Sequence, residues 1–242
     1  MKELAIKYMI GVFTNTDDLK PNAKVFAKLY EILGDDYLSV TIQEMTPTGP
    51  QNSIAMENQQ TGLKVLFLMN RILIEKVPSS AENSLNNINE FVDEAVAIAS
   101  SLLDTFDKKA NRMSLVSKHL VKDLSNIDSI SEKLFQFPMG YSSDNTFEWN
   151  WRLVRKEEKN IANEKETLNY ITMVNRIQGK LSDTNGEEDF EGLDIEFDIN
   201  TEHENDSYRF DKTNIQTFYN EIKGLYDEHN TNIHNFLLGS KE

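Results

Sequence analysis

The residues best placed by type and spacing to do chemistry lie in an acidic stretch near the C-terminus. Between Ser182 and Asp206 the chain carries eleven Asp and Glu side chains and no Lys or Arg. Within it, Asp194, Glu196 and Asp198 alternate with Leu193, Ile195, Phe197 and Ile199, so on an extended strand the three carboxylates share one face. Carboxylates clustered in this way hold magnesium in two-metal hydrolases and nucleases. No lysine follows on that strand, and an outward charged face that discourages edge pairing accounts for the same pattern. Upstream, the run from Asp183 through Glu187, Glu188 and Asp189 is similar to a calcium loop, but the register fails. Counted from Asp183, position six is Glu188 where the turn glycine belongs, and position twelve is Asp194 where a glutamate is needed. A polar hairpin turn is the simpler reading, and no metal site is assigned. Asp183, Glu187, Glu188, Asp189, Asp194, Glu196 and Asp198 are retained as a candidate interaction surface.

The chain has four histidines, His119, His203, His229 and His234. The five-residue spacing of the last pair rotates them about 140° apart on a helix, which puts them on different faces, and all four are expected to be solvated or partly packed. Trp149 and Trp151 share one face of a strand and are expected to pack into a core; a platform for stacking bases is the alternative. Phosphate-binding glycine loops and nucleophile elbows are absent, and no catalytic residue, metal or cofactor is assigned.

Several elements must position these groups. Leu4 to Phe13 alternates as a strand, a helix starts near Pro21 and ends at Gly34, and Tyr37 to Met45 alternates again with Leu38, Val40 and Ile42 against Ser39, Thr41 and Gln43. Leu63 to Val77 reads as a hairpin turning at Asn70-Arg71. A long helix is expected after Pro78, capped by Ser79 and Glu82 and apolar on one face from Leu85 to Phe106. Arg112 to Val121, Phe147 to Leu153, Leu168 to Leu181 and Leu193 to Asn200 read as strands, and Asn126 to Asp144 as irregular. A second long helix opens at Thr213 with Gln216 in capping-box spacing and ends at Gly239. The expected fold is α+β: a mostly antiparallel sheet with two long amphipathic helices, arranged as two similar β/α halves or as a single continuous sheet. Residues 1–242 are expected to form one unit, with 1–110 and 111–242 as the alternative division.

Composition narrows the functional classes. A formal net charge of -15 opposes sequence-independent binding to nucleic acid or to anionic membranes, because both depend on Lys and Arg meeting phosphate. Zero cysteines remove disulfides and thiolate chemistry and fit a reducing, cytoplasmic setting. No apolar run approaches the roughly 20 residues of a membrane helix.

The order of "ANRMSLVSKHL" after a long helix, then "GLDIEFDIN", then "LYDEHNTNIHNFLLGS" resembles a sporadically distributed family of uncharacterised bacterial proteins. Arg112, Leu115, Leu193, Asp194, Ile195, His229, Ile233 and Phe236 occupy places comparable to that family's short motifs. Ser114 stands where glycine is common, and Val116-Ser117 stand for Arg-Tyr. The resemblance implies a bacterial accessory system, including phage defence, and supplies no catalytic residues. The expected function is therefore a non-enzymatic interaction or regulatory component, with a protein partner or a homo-oligomer. A metal-dependent hydrolase or nuclease and an acidic nucleic-acid mimic are the alternatives.

Overall fold

The computed structural model describes residues 2–47, 49–80, 83–124, 127–135, 142, 146–161, 164–183 and 186–239. Its centre is one sheet of nine strands: β1 (Lys2–Phe13), β2 (Leu38–Thr46), β3 (Gly49–Asn58), β4 (Leu63–Leu68), β5 (Arg71–Lys76), β6 (Arg112–Lys122), β7 (Trp149–Ile161), β8 (Glu164–Asp183) and β9 (Gly186–Thr201). Their order is β2-β3-β4-β5-β1-β6-β9-β8-β7, and every pairing is antiparallel. Four helices accompany it: α1 (Ala23–Leu33), α2 (Ile88–Thr105), α3 (Ile127–Leu134) and α4 (Lys212–Leu238).

This overturns the expectation of two long helices and two β/α halves. Only α4 is long, at 27 residues. The helix expected after Pro78 starts at Ile88, where the Asn87 side chain accepts from the Asn89 N–H. The segment before it is held extended against the sheet instead, with the Leu85 N–H donating to Ala5 O and the Ser84 hydroxyl accepting from the Ala5 N–H. Those bonds outweigh the helical periodicity of Leu85 and Ile88, and Glu82 of the expected cap lies outside the described residues. The α4 cap is likewise displaced: Asp211 and Asn214 form the capping box, two residues before the Thr213–Gln216 spacing. Strands from both ends of the chain share one sheet, because β1 pairs with β6 over almost its whole length.

A helix-facing side and an uncovered side follow from the pairing register. Ile10, Leu115, Ile199 and Tyr170 are laterally paired, fully buried, and belong to the core that α2 and α4 close with Phe91, Ala95, Leu102, Ile215, Phe218 and Ile222. Tyr219 of α4 donates its hydroxyl to the carbonyls of Gly11 and Ser114 at 3.2 and 3.0 Å. Gly192 lets β9 approach β6 closely, since a Cβ there would sit 2.3 Å from Val121 O. A register shift between Ala5 and Lys7 breaks the even alternation of β1. Leu4 therefore pairs beside Leu120 on the uncovered side, whereas Tyr8, Ile10 and Val12 face the helices. Among the described residues, no helix packs on the uncovered side. Among the described residues no helix is long and apolar enough to cross a membrane.

Candidate functional site

Two groups of polar residues occupy opposite faces of the central strands. On the helix-facing side, β6 alternates Met113, Leu115, Ser117, His119 and Val121 inward, so its apolar stripe is interrupted by a serine and a histidine two residues apart. The C-terminal half of α4 lies over them, and the N-terminal end of β1 runs alongside. Glu3 Oε1 is 3.0 Å from His119 Nδ1 and 2.8 Å from His234 Nε2. His119 Nε2 lies 3.2 Å from Ser117 Oγ and 3.0 Å from Tyr226 Oη, and these two hydroxyls are 2.8 Å apart. The His119 and His234 rings stand edge-on at 6.1 Å, and Phe197 packs against both.

The acceptor and donor chemistry of this cluster fixes its protons. Hydrogen bonds from His119 and His234 hold the Glu3 carboxyl well below the usual carboxylate range, against the opposing effect of burial. An ionised Glu3 only accepts, so His119 donates to it through Nδ1 and His234 through Nε2. His119 Nε2 faces the two hydroxyls, and His234 Nδ1 lies 2.8 Å from the Asn230 carbonyl.

Carboxylate, imidazole and hydroxyl in this order form the arrangement that activates a nucleophile. Here the hydroxyls are inaccessible: Ser117 is 0% and Tyr226 3% exposed. A cavity of about 340 Å³ opens beside Tyr8, Asn83, Asn87 and Phe91, and one of about 130 Å³ beside Arg155, Tyr170, Glu228 and His229. Neither is lined by Glu3, Ser117, His119 or Tyr226. The cluster is built to tie α4 to β1 and β6.

His229 lies on the other flank of Phe197, 5.6 Å between rings, with Nε2 2.8 Å from Thr172 Oγ1. Burial and the neighbouring Arg155 push its pKa down. The 140° rotation between His229 and His234 places them astride the line on which Tyr226 meets the sheet, so both reach Phe197 from opposite sides.

On the uncovered side, Asp194, Glu196 and Asp198 do share one face, yet they are pinned in place. Lys118 Nζ lies between Asp194 and Glu196 at 3.6 and 3.1 Å, Asn175 donates to Asp194 and Asn200 to Asp198, and burial raises the Asp198 pKa. Further along the hairpin, Glu191 pairs with Arg176 at 2.6 Å. Asp189 is exposed. Asp183, Glu187 and Glu188 extend the β8–β9 hairpin by backbone pairing, and their side chains lie outside the described residues. Among the described residues no three His, Asp or Glu side chains converge on a point that could hold a metal ion. Trp149 and Trp151 pack against Phe135 and Phe236, and the Trp149 indole N–H donates to Ser131 Oγ at 2.8 Å.

Sequence reasoning missed Glu3, Ser117 and Tyr226. The available signal was the polar pair Ser117 and His119 inside an otherwise apolar inward stripe. Compared with known proteins, the chain matches no family model and no curated protein.

Proposed function

We propose that the chain is a non-enzymatic protein-interaction component, regulatory in a bacterial accessory system, and that it works through the uncovered side of its sheet. The observation that carries this reading is the one-sided packing of a nine-stranded sheet. Met9, Leu66, Leu73, Ile171 and Met173 are only half-buried there, and Leu38 and Val154 are 52% and 41% exposed at its two ends. These apolar side chains flank the charged centre formed by Lys118, Asp194 and Glu196, and apolar patches rimmed by polar groups mark interaction surfaces in soluble proteins. The burial of the His119 cluster supports the same conclusion, since its hydroxyls have no route to a substrate.

The test is purification of the tagged chain from its host, alongside a Leu38→Glu/Val154→Glu variant. Both side chains are exposed, so the variant is expected to fold and to lose a stoichiometric companion. A wild type with no companion, or a companion kept by the variant, would contradict the reading.

A further inference from the structure

The two edges of the sheet are built differently. At one end, β7 carries Arg152, Arg155, Lys156, Glu157, Glu158 and Lys159, the charged side chains with which proteins keep an open edge from pairing. At the other, β2 reads Leu-Ser-Val-Thr-Ile-Gln-Glu-Met-Thr, without Lys, Arg or Pro. Its one charged residue is turned back: Glu44 Oε2 accepts from the Met69 N–H and the Ser53 hydroxyl. Leu38, Val40 and Met45 are 52%, 41% and 78% exposed.

The backbone polarity of β2 is readable. The Ser39 N–H donates to Tyr30 Oη at 3.3 Å rather than to β3, so the odd-numbered residues of β2 turn their N–H groups to the outer edge. Among the described residues β2 is the edge of the sheet, so the outward N–H groups of Thr41, Gln43 and Met45 have no strand of this sheet beyond them. The edge is a strand-length template with one end closed by Tyr30.

We infer that β2 pairs antiparallel with β2 of a second copy of this chain, about a two-fold axis near Ile42, joining two sheets into one of eighteen strands. The inference rests on the interaction reading above and extends it from the uncovered side to the edge strand that bounds it. In this register Thr41 and Gln43 of each copy exchange backbone hydrogen bonds. Ile42, whose own N–H and C=O face β3, then meets its symmetry mate across a non-hydrogen-bonded pair, where Cα atoms approach to about 4.5 Å. The densest charge of the chain lies away from the joint. The acidic β9 lies six strand spacings from β2, roughly 29 Å at about 4.8 Å each, well beyond the Debye length of about 8 Å at physiological salt. Repulsion between the two acidic strands is therefore screened at the joint. Nine residues span roughly 30 Å, and with the flank of α1 the pairing buries on the order of 1,000 Å², the low end for a specific interface.

The test combines sedimentation with cross-linking. The wild type should shift from monomer to dimer as its concentration is raised from about 1 to 500 μM, the behaviour of an interface at the small end of the specific class. Thr41→Pro should weaken association at least about tenfold while preserving the fold, because it removes an outward N–H and no ladder bond. The chain has no cysteine, so Ile42→Cys gives one thiol per copy, and mild oxidation should yield a covalent dimer faster than Val40→Cys or Glu44→Cys. A wild type monomeric throughout, with no Ile42→Cys dimer, overturns the inference. So does dimerisation that Thr41→Pro leaves intact. If the chain is monomeric and the companion is still lost from the Leu38→Glu/Val154→Glu variant, only the second-copy inference fails; if no companion exists either, the broader reading fails with it.

Discussion

Replacing Glu3 by Gln isolates the charge at the centre of the helix-facing cluster. The carboxylate accepts from His119 and from His234 through one oxygen. Hydrogen bonds to charged groups contribute about 1.5–3 kcal/mol when well buried, but the Glu3 side chain is 31% exposed, so about 1 kcal/mol for each is the reasonable discount. Gln keeps a neutral acceptor for one imidazole and loses the charge that holds the second. Glu3→Gln should therefore cost about 1–2 kcal/mol in urea unfolding at pH 7, with an unchanged m value. The pH dependence has a definite sign. The folded carboxyl holds its proton less tightly than the unfolded one, whose pKa is near 4.5. Its stabilisation is thus complete above about pH 4.5 and is lost as the pH falls toward the folded value. Between pH 5 and pH 3 the wild type should lose more stability than Glu3→Gln. A variant within about 0.3 kcal/mol of wild type, with the same acid slope, would refute the assignment.

Three other outcomes follow from the same geometry. Tyr226→Phe removes the hydroxyl shared by Ser117 and His119 and should cost about 1–2 kcal/mol in chemical denaturation, non-additively with Ser117→Ala. Arg209 clamps Glu166 through two bonds of 2.7 Å, and Glu166 is 5% exposed. Arg209→Ala strands that carboxylate and should cost about 3–5 kcal/mol, read as a large fall in melting temperature that Glu166→Gln in the same chain partly restores. Arg155→Met removes one of the two causes that depress the His229 pKa, so an NMR titration should place His229 below 6.5 in the wild type and closer to it in the variant.

The strands were legible where alternation was undisturbed. Leu193 to Ile199 and the turn at Asn70, whose φ is 61°, follow directly from period and turn chemistry. The helix boundary at Ile88 was not legible, because the competing bonds from Ala5 to Ser84 and Leu85 come from a strand about eighty residues away. The same holds for β2: its alternation announced a wet face and a dry one, but α1 reaches the polar face, where Tyr30 meets Ser39, and the apolar side is left open. The helix-facing cluster escaped notice because Glu3, His119, Tyr226 and His234 are distant in sequence. The acidic strand was visible, but Lys118, which sits between Asp194 and Glu196, comes from β6. Composition exposes a net charge and cannot show which strand supplies its counter-ions.

The most direct measurement of the central claim is amide hydrogen exchange of the chain alone and in the complex it forms in its host. Interaction through the uncovered side and its β2 edge predicts slowed exchange along β2, including the outward amides of Thr41, Gln43 and Met45, with the amides of α4 over the His119 cluster unchanged. Slowing confined to α4 and the strands beneath it, with β2 still exchanging freely, would contradict it.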